Sequence, residues 1–259
     1  MNLKGSSMFN PMDLSGKRVL ITGSSSGIGR ATAIYLSRLG AHLVLAGRNQ
    51  VRLEETFNAL QGGGHKISAF DLTQIDAIPL WLKELAKSGG TFSGVVHSAG
   101  IQVTMPIRSM TRNSFDEIMN VNVGSAFGLA KGFRQKNVNA DGGSIVFLSS
   151  IMGVVGQPAV SAYCASKGAL VSFGKSLALE LAREGIRVNC VLPGHVRTEM
   201  AEKLEQTLTG IQFEAIKAAH PLGLGTPDDV AAAVAFLLAD TSRWITGSSL
   251  IVDGGYTAH

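Results

Sequence analysis

The sequence predicts an α/β protein: one doubly wound parallel sheet of about seven strands, with helices on both faces and a small helical lid. Three observations carry that expectation. Short β-branched apolar runs alternate with longer stretches of helical period, the pattern of repeated βαβ units. Several of the runs are almost continuously apolar, as parallel strands covered on both faces require. A glycine-rich turn, "TGSSSGIG" (22–29), follows the first run, at the end of the sheet where such folds meet ligands.

Strands are expected at "RVLIT" (18–22), "HLVLAG" (42–47), "HKISAF" (65–70), "FSGVVH" (92–97), "SIVFLSS" (144–150), "IRVNCVL" (186–192) and "SSLIVD" (248–253). Helical patterns run over 28–39, 51–60, 77–86, 112–134, 160–183 and 227–238. Their alternation calls for right-handed crossovers. No linker or repeat interrupts it, so residues 1–259 read as a single domain, with 1–13 as an N-terminal extension. Residues 199–220 carry no strand signal and follow a strand's carboxyl end, so they read as a substrate lid over the crevice; ordinary helical packing is the competing reading.

Composition narrows the function. Charged residues make up only 16% of the chain, against roughly 25% in a typical protein. So little charge favours a homo-oligomer that hides further surface. The net charge of +4 suits anionic ligands but is too small and scattered for nucleic acid. No apolar run reaches membrane-spanning length, and "MNLKGSSMFNPMD" lacks a secretory apolar core, so a cytoplasmic protein without membrane attachment is expected. Cys164 and Cys190, with no Cys/His cluster, fit a reducing compartment and no metal site.

The turn at 22–29 has two readings. Gly23–Gly27 fits G-x-S-x-G, a nucleophile elbow with Ser25 attacking. Gly23, Gly27 and Gly29 also form a turn that lets a dinucleotide pyrophosphate approach the backbone at a helix N-terminus. An elbow needs an oxyanion loop from an earlier strand, and 17 residues before "RVLIT" are too few to supply one. The dinucleotide reading prevails. "FGKS" (173–176) lacks the leading glycine of a phosphate loop and falls inside a helical pattern.

A second constellation is "YCASK" (163–167), which puts Tyr163 and Lys167 on one helical face. Bringing a phenol to neutrality takes about 4 kcal/mol, and one ammonium about 4 Å away supplies a similar amount. Phenol and ammonium then form an acid–base pair suited to carbonyl/alcohol exchange. Ser150, at a strand's end, can hydrogen-bond a substrate oxygen as charge develops on it. A surface Tyr/Lys pair is the bland alternative. NAD-selective sites place a carboxylate at the end of the second strand. Here Gly47, Arg48 and Asn49 stand there instead, so NADP(H) is the expected cofactor, with Arg48 and a hydroxyl of Ser24 or Ser25 on its 2′-phosphate.

With these residues in place, the chain resembles the short-chain dehydrogenases/reductases over residues 14–256. The likeness rests on "TGSSSGIG", "DLT" (71–73), "HSAG" (97–100), "NVG" (122–124), Ser150, "YCASK", "VLPGHVRTEM" (191–200) and "ITGSSLIVDGG" (245–255), in that order. It implies a Rossmann-type sheet, a tetramer, and Asn122, Ser150, Tyr163 and Lys167 as catalytic residues. Tyr163 would be the acid/base, Lys167 would lower its pKa and hold the ribose, Ser150 would polarise the carbonyl, and Asn122 would anchor a relay water. The implied cofactor contacts are Gly23, Ser25, Ser26, Gly27, Ile28 and Gly29 in the turn, then Arg48. Asp71 and Leu72 belong to the adenine end, and Ala99 and Gly100 to the ribose. Pro193, Gly194, Val196 and Thr198 lie around the nicotinamide.

Departures from the family pattern stand out. His97 and Ser98 replace two common asparagines, read as a change in sheet bonding. "HPLGLGTPDDV" (220–230) is one residue short and lacks the usual arginine. Cys164 reads as a packed small residue; His195 reads as a substrate contact or a plain loop residue. Family members acting on acyl-carrier substrates carry basic residues where Asp141 and Glu184 stand, so a free small carbonyl or alcohol is preferred as substrate. Alternatives are a 3-oxoacyl-(acyl-carrier-protein) reductase, a catalytically silent dinucleotide-binding regulator and the serine hydrolase.

Overall fold

Three consecutive apolar residues show how the sheet is covered: Leu20 packs with one core, while Val19 and Ile21 on either side pack with another. Strand period two sends alternate side chains to opposite faces. The computed structural model describes residues 10–206 and 208–258, without the side chains of Asp141 and Lys203. In it, β1 (Arg18–Thr22), β2 (His42–Gly47), β3 (Lys66–Ala69), β4 (Phe92–His97), β5 (Asn139–Leu148), β6 (Arg187–Pro193) and β7 (Ser249–Val252) form one sheet in the order β3-β2-β1-β4-β5-β6-β7. Every pairing is parallel.

Helices α1 (Gly27–Arg38), α2 (Gln50–Asn58) and α9 (Pro227–Leu238) cover one face through Ala33, Leu36, Leu53 and Val234. The other face takes α3 (Ile78–Gly89), α5 (Ser125–Phe133) and α6 (Ser161–Leu181) through Ile78, Leu82, Leu129, Phe133 and Leu170. A Cβ on Gly132 would sit 3.0 Å from the Cα of Pro79, so glycine lets α5 lie close on α3. The chain winds outward from β1 to β3 and then returns to β4 on the other side of β1. That reversal opens a crevice at the carboxyl ends of β1 and β4.

Two expectations need correction. The pattern over 112–134 is not one helix: α4 (Arg112–Met119) and α5 are separated by a π-helical turn, Asn120–Gly124. Such turns insert one extra residue and often mark functional positions. Strand β5 ends at Leu148, two residues earlier than expected. Ser150 instead opens a short turn, its Oγ accepting from Met152 N at 3.1 Å. The insertion after β6 forms α7 (Glu199–Glu205) and α8 (Gly210–Ala218). Residues 1–9 of the expected extension lie outside the described residues. No helix among the described residues is long and apolar enough to cross a membrane.

Candidate active site

The β1–α1 turn makes the floor of the crevice. Gly23 takes φ +67°, and a Cβ there would sit 2.7 Å from Ala99 N, so only glycine fits against the end of β4. The first turn of α1 holds no acidic residue, and Gly27, Ile28 and Gly29 of that turn line the crevice. Gly27 N already donates to a carboxylate oxygen of Glu199 at 3.0 Å. The turn can therefore offer an N–H to an anion, as a dinucleotide pyrophosphate demands.

Around it lies a cleft of about 310 Å³ that gathers most of the expected cofactor residues. Gly23, Ser25, Ser26, Gly27, Ile28 and Gly29 line its floor, and Arg48, Asp71 and Leu72 line the outer end. Asp71 accepts from Thr73 N at 3.0 Å, and that bond, with the nearby Arg48 charge, holds its carboxyl below the usual range. Ala99, Gly100, Tyr163, Lys167, Pro193 and Thr198 line the inner end. Gly194 and Val196 do not reach the cleft; they line a second cavity beside it. Ser24 is fully buried with its hydroxyl on Ala46 O at 3.3 Å, so of the two serines only Ser25 faces the cleft.

The four catalytic candidates come together at the inner end. Helix α6 carries Tyr163 and Lys167 on one face, with the Lys167 ammonium 5.5 Å from the Tyr163 ring centroid. Burial pushes the phenol up to about 12, opposed by a hydrogen bond with Ser150. Lys167 is not what lowers the phenol here. Its Nζ donates to Leu148 O at 2.7 Å, and burial draws it down to about 8. The expected pKa lowering of Tyr163 is thus reversed, because two desolvated groups each favour their neutral form.

Asn122 is buried in the π-turn behind Gly100. Its Nδ2 donates to Ile101 O (3.0 Å) and Ser166 Oγ (2.9 Å), and its Oδ1 accepts from Ile101 N (2.8 Å). His97 fixes the other side of that turn. Nε2 faces Asn122 O and Ser125 Oγ, both at 3.2 Å, while Nδ1 faces Thr22 Oγ1 at 3.0 Å. A carbonyl can only accept, so the proton sits on Nε2 and Thr22 donates to Nδ1. Thr22 Oγ1 in turn accepts from Ala99 N at 3.3 Å. Burial first, and the Lys167 charge second, pull His97 down to about 4.

The second cavity, about 410 Å³, shares Tyr163 with the cleft. Its walls include Met152, Leu204, Ile216, Gln102 and Gln157. His195 lines it too, with Nε2 3.0 Å from Glu205 Oε1. Cys164 is partly exposed, and Cys190 is buried with its thiol raised to about 12. Glu184, which has Arg183 beside it in sequence, pairs instead with Arg134 at 2.7 Å, and the side chain of Asp141 lies outside the described residues. Among the described residues no His/Cys/Asp/Glu group could hold a metal. Sequence reasoning missed Glu199, although it directly follows Thr198 in a motif already marked.

Comparison with known proteins agrees with this geometry. A family profile described as enoyl-(acyl carrier protein) reductase matches residues 23–257. The chain belongs to the short-chain dehydrogenase/reductase family. It is 38% identical to a 3-oxoacyl-(acyl-carrier-protein) reductase of Rickettsia prowazekii, over 94% of this chain and 98% of that one. It is 32% identical to gluconate 5-dehydrogenase of Gluconobacter oxydans, over 94% and 96%. An Agrobacterium tumefaciens protein crystallised with NADP, described as a candidate 2-deoxy-D-gluconate 3-dehydrogenase, superposes with a TM-score of 0.85 at 31% identity, covering 97% of this chain and all of that one (100%). Membership makes this protein a Rossmann-type, NAD(P)-binding oxidoreductase of carbonyls and alcohols.

Proposed function

We propose that the protein is an NADP(H)-dependent oxidoreductase that interconverts a carbonyl and a secondary alcohol on a free small molecule, with Tyr163 as general acid/base. One observation carries this reading: Tyr163, with Ser150 beside it, stands in the wall shared by the dinucleotide cleft and the second cavity. When bound, the cofactor supplies or accepts the hydride. The Ser150 hydroxyl orients the substrate oxygen, and the Tyr163 hydroxyl delivers its proton to that oxygen in reduction. Lys167, held by Leu148 O, has further N–H donors for ribose hydroxyls. Asn122 fixes the backbone behind Gly100 and is the candidate anchor of a proton relay.

Arg48 at the rim, with no acid at the end of β2, supports NADP(H) over NAD(H). Exposed Phe115, Phe127, Leu179 and Trp244, together with the low charge content, support a homo-oligomer, with a tetramer as the proposed form. Two free cysteines support a reducing, cytoplasmic setting. The reading is tested by following NADPH and NADH absorbance across a carbonyl/alcohol panel. No turnover by wild type on any member, or turnover that survives in Tyr163→Phe, would overturn it.

A second reading, a 3-oxoacyl-carrier reductase, is favoured by the Rickettsia relative. The Glu184 carboxylate is paired with Arg134, which weakens the repulsion an acidic carrier would meet there. Comparable turnover of a free and a carrier-bound 3-oxoacyl thioester supports the free-substrate reading. A strong preference for the carrier-bound form, lost at high salt, would establish the second.

A further inference from the structure

The carboxylate of Glu199 joins three elements. Oε2 accepts from Gly27 N on α1 at 3.0 Å, and Oε1 meets Arg52 Nη2 on α2 at 3.0 Å, while Glu199 itself is the first residue of α7. The root of α7 is seated on the turn as well: a Cβ on Gly27 would lie 3.4 Å from Thr198 and 3.6 Å from Glu199 Oε2. Helix α7 carries Met200, Ala201 and Leu204, which line the second cavity beside Tyr163.

From this geometry we infer that Glu199 is a latch: it holds the lid helix on the dinucleotide turn, and the cofactor's pyrophosphate releases it by taking the same amide. The inference rests on the dinucleotide reading above and adds a regulation to that site. An N–H at a helix start donates to one strong anion at a time. A carboxylate and a phosphate oxygen cannot share it, and their like charges repel at such range. The Arg52–Glu199 pair is half-exposed, 43% and 47%, so its bond is weak enough for a dianion to displace. Release then frees Arg52 to face the incoming phosphates and loosens the wall that α7 contributes to the second cavity.

The test uses the whole protein, with Glu199→Ala and Glu199→Asp. Both substitutions sit at a half-exposed helix start whose Thr198 cap is retained. NADPH affinity is read by fluorescence and the mobility of 199–206 by amide hydrogen exchange. The latch requires E199A to bind NADPH about fivefold more tightly, and its 199–206 amides to exchange faster than wild type with no dinucleotide added. E199D keeps the charge but is one methylene shorter, so it frees the helix as E199A does while tightening NADPH less. Inorganic pyrophosphate alone should quicken exchange over 199–206 in wild type and not in E199A. Unchanged exchange in E199A overturns the latch even if NADPH binds more tightly, because charge repulsion alone then explains the gain. A wild type that binds neither dinucleotide, yet releases 199–206 with pyrophosphate, keeps the latch and overturns the dinucleotide reading instead.

Discussion

Lys167 Nζ lies 5.5 Å from the centroid of the Tyr163 ring and gives its short hydrogen bond to Leu148 O rather than to the phenol. Tyr163, raised to about 12, therefore holds its proton at neutral pH. The acid needed for carbonyl reduction is ready, whereas the base needed for alcohol oxidation must first be made. Between about pH 6 and pH 8, kcat/KM for reduction should stay nearly level. For oxidation it should climb with pH, by up to about tenfold per unit while the phenolate is a minor species. Parallel profiles in the two directions would refute this account.

Tyr163→Phe should abolish turnover and leave NADPH affinity within about threefold, because the proposed reading gives the proton to the phenol and the phosphates to the turn at Gly23–Gly29. A variant that keeps more than about a tenth of the wild-type rate removes Tyr163 from the proton transfer. Lys167→Ala should lose both rate and affinity, since the same ammonium is assigned to the ribose.

Cofactor choice should lie with Gly47 and Arg48. A charge-assisted bond to the 2′-phosphate contributes about 1.5–3 kcal/mol, so NADP(H) should be preferred by about tenfold or more in kcat/KM. A Cβ on Gly47 would meet only Leu53 and the Ser25 hydroxyl at 3.5–3.6 Å, so Gly47→Asp fits without strain. Combined with Arg48→Ala it should reverse the preference, which steady-state kinetics with both cofactors would show. Equal use of the two by wild type rules out phosphate reading by Arg48.

Acid should unfold the protein partly through His97. Its pKa falls from the ordinary 6.5 to about 4 on burial, with the Lys167 charge adding to the effect. Above 6.5 the ring is neutral in both states and costs nothing. As pH drops below that, the unfolded chain takes up a proton that the folded one refuses, so stability is lost down to about pH 4. At about 1.4 kcal/mol per pH unit, the loss reaches about 3 kcal/mol. Comparing urea midpoints at about pH 7 and pH 4.5, the wild type should lose clearly more stability than His97→Asn; equal losses would clear His97 of the role.

Much of this was legible in the sequence because it is local. The continuous apolar run of "RVLIT" and the glycines of 22–29 pointed to the sheet and the turn, and Tyr163 and Lys167 are one helical turn apart. Long-range facts were not legible. Glu199 meets Gly27 and Arg52, 172 and 147 residues away, and Glu184 meets Arg134 across 50 residues. The break in the helix over 112–134 was hidden for another reason. Ile118, Asn122, Ser125, Leu129 and Phe133, all buried, repeat every three or four residues, so the helical spacing of buried positions runs straight through the π-turn.

That turn has a consequence for insertions and deletions. In a regular α-helix one additional residue would rotate everything after it by about 100°; the wide turn takes that residue up locally, so α5 keeps its seat on α3 and the sheet. The position of Asn122 depends on chain length as much as on side-chain identity. Removing one residue from 120–124 would let the helix regularise with Ala126, Leu129 and Phe133 still facing the core, but it would take from Asn122 the wide turn that aims its amide at Ile101 and Ser166. A frame-preserving deletion of one codon there should therefore cost activity while sparing the fold.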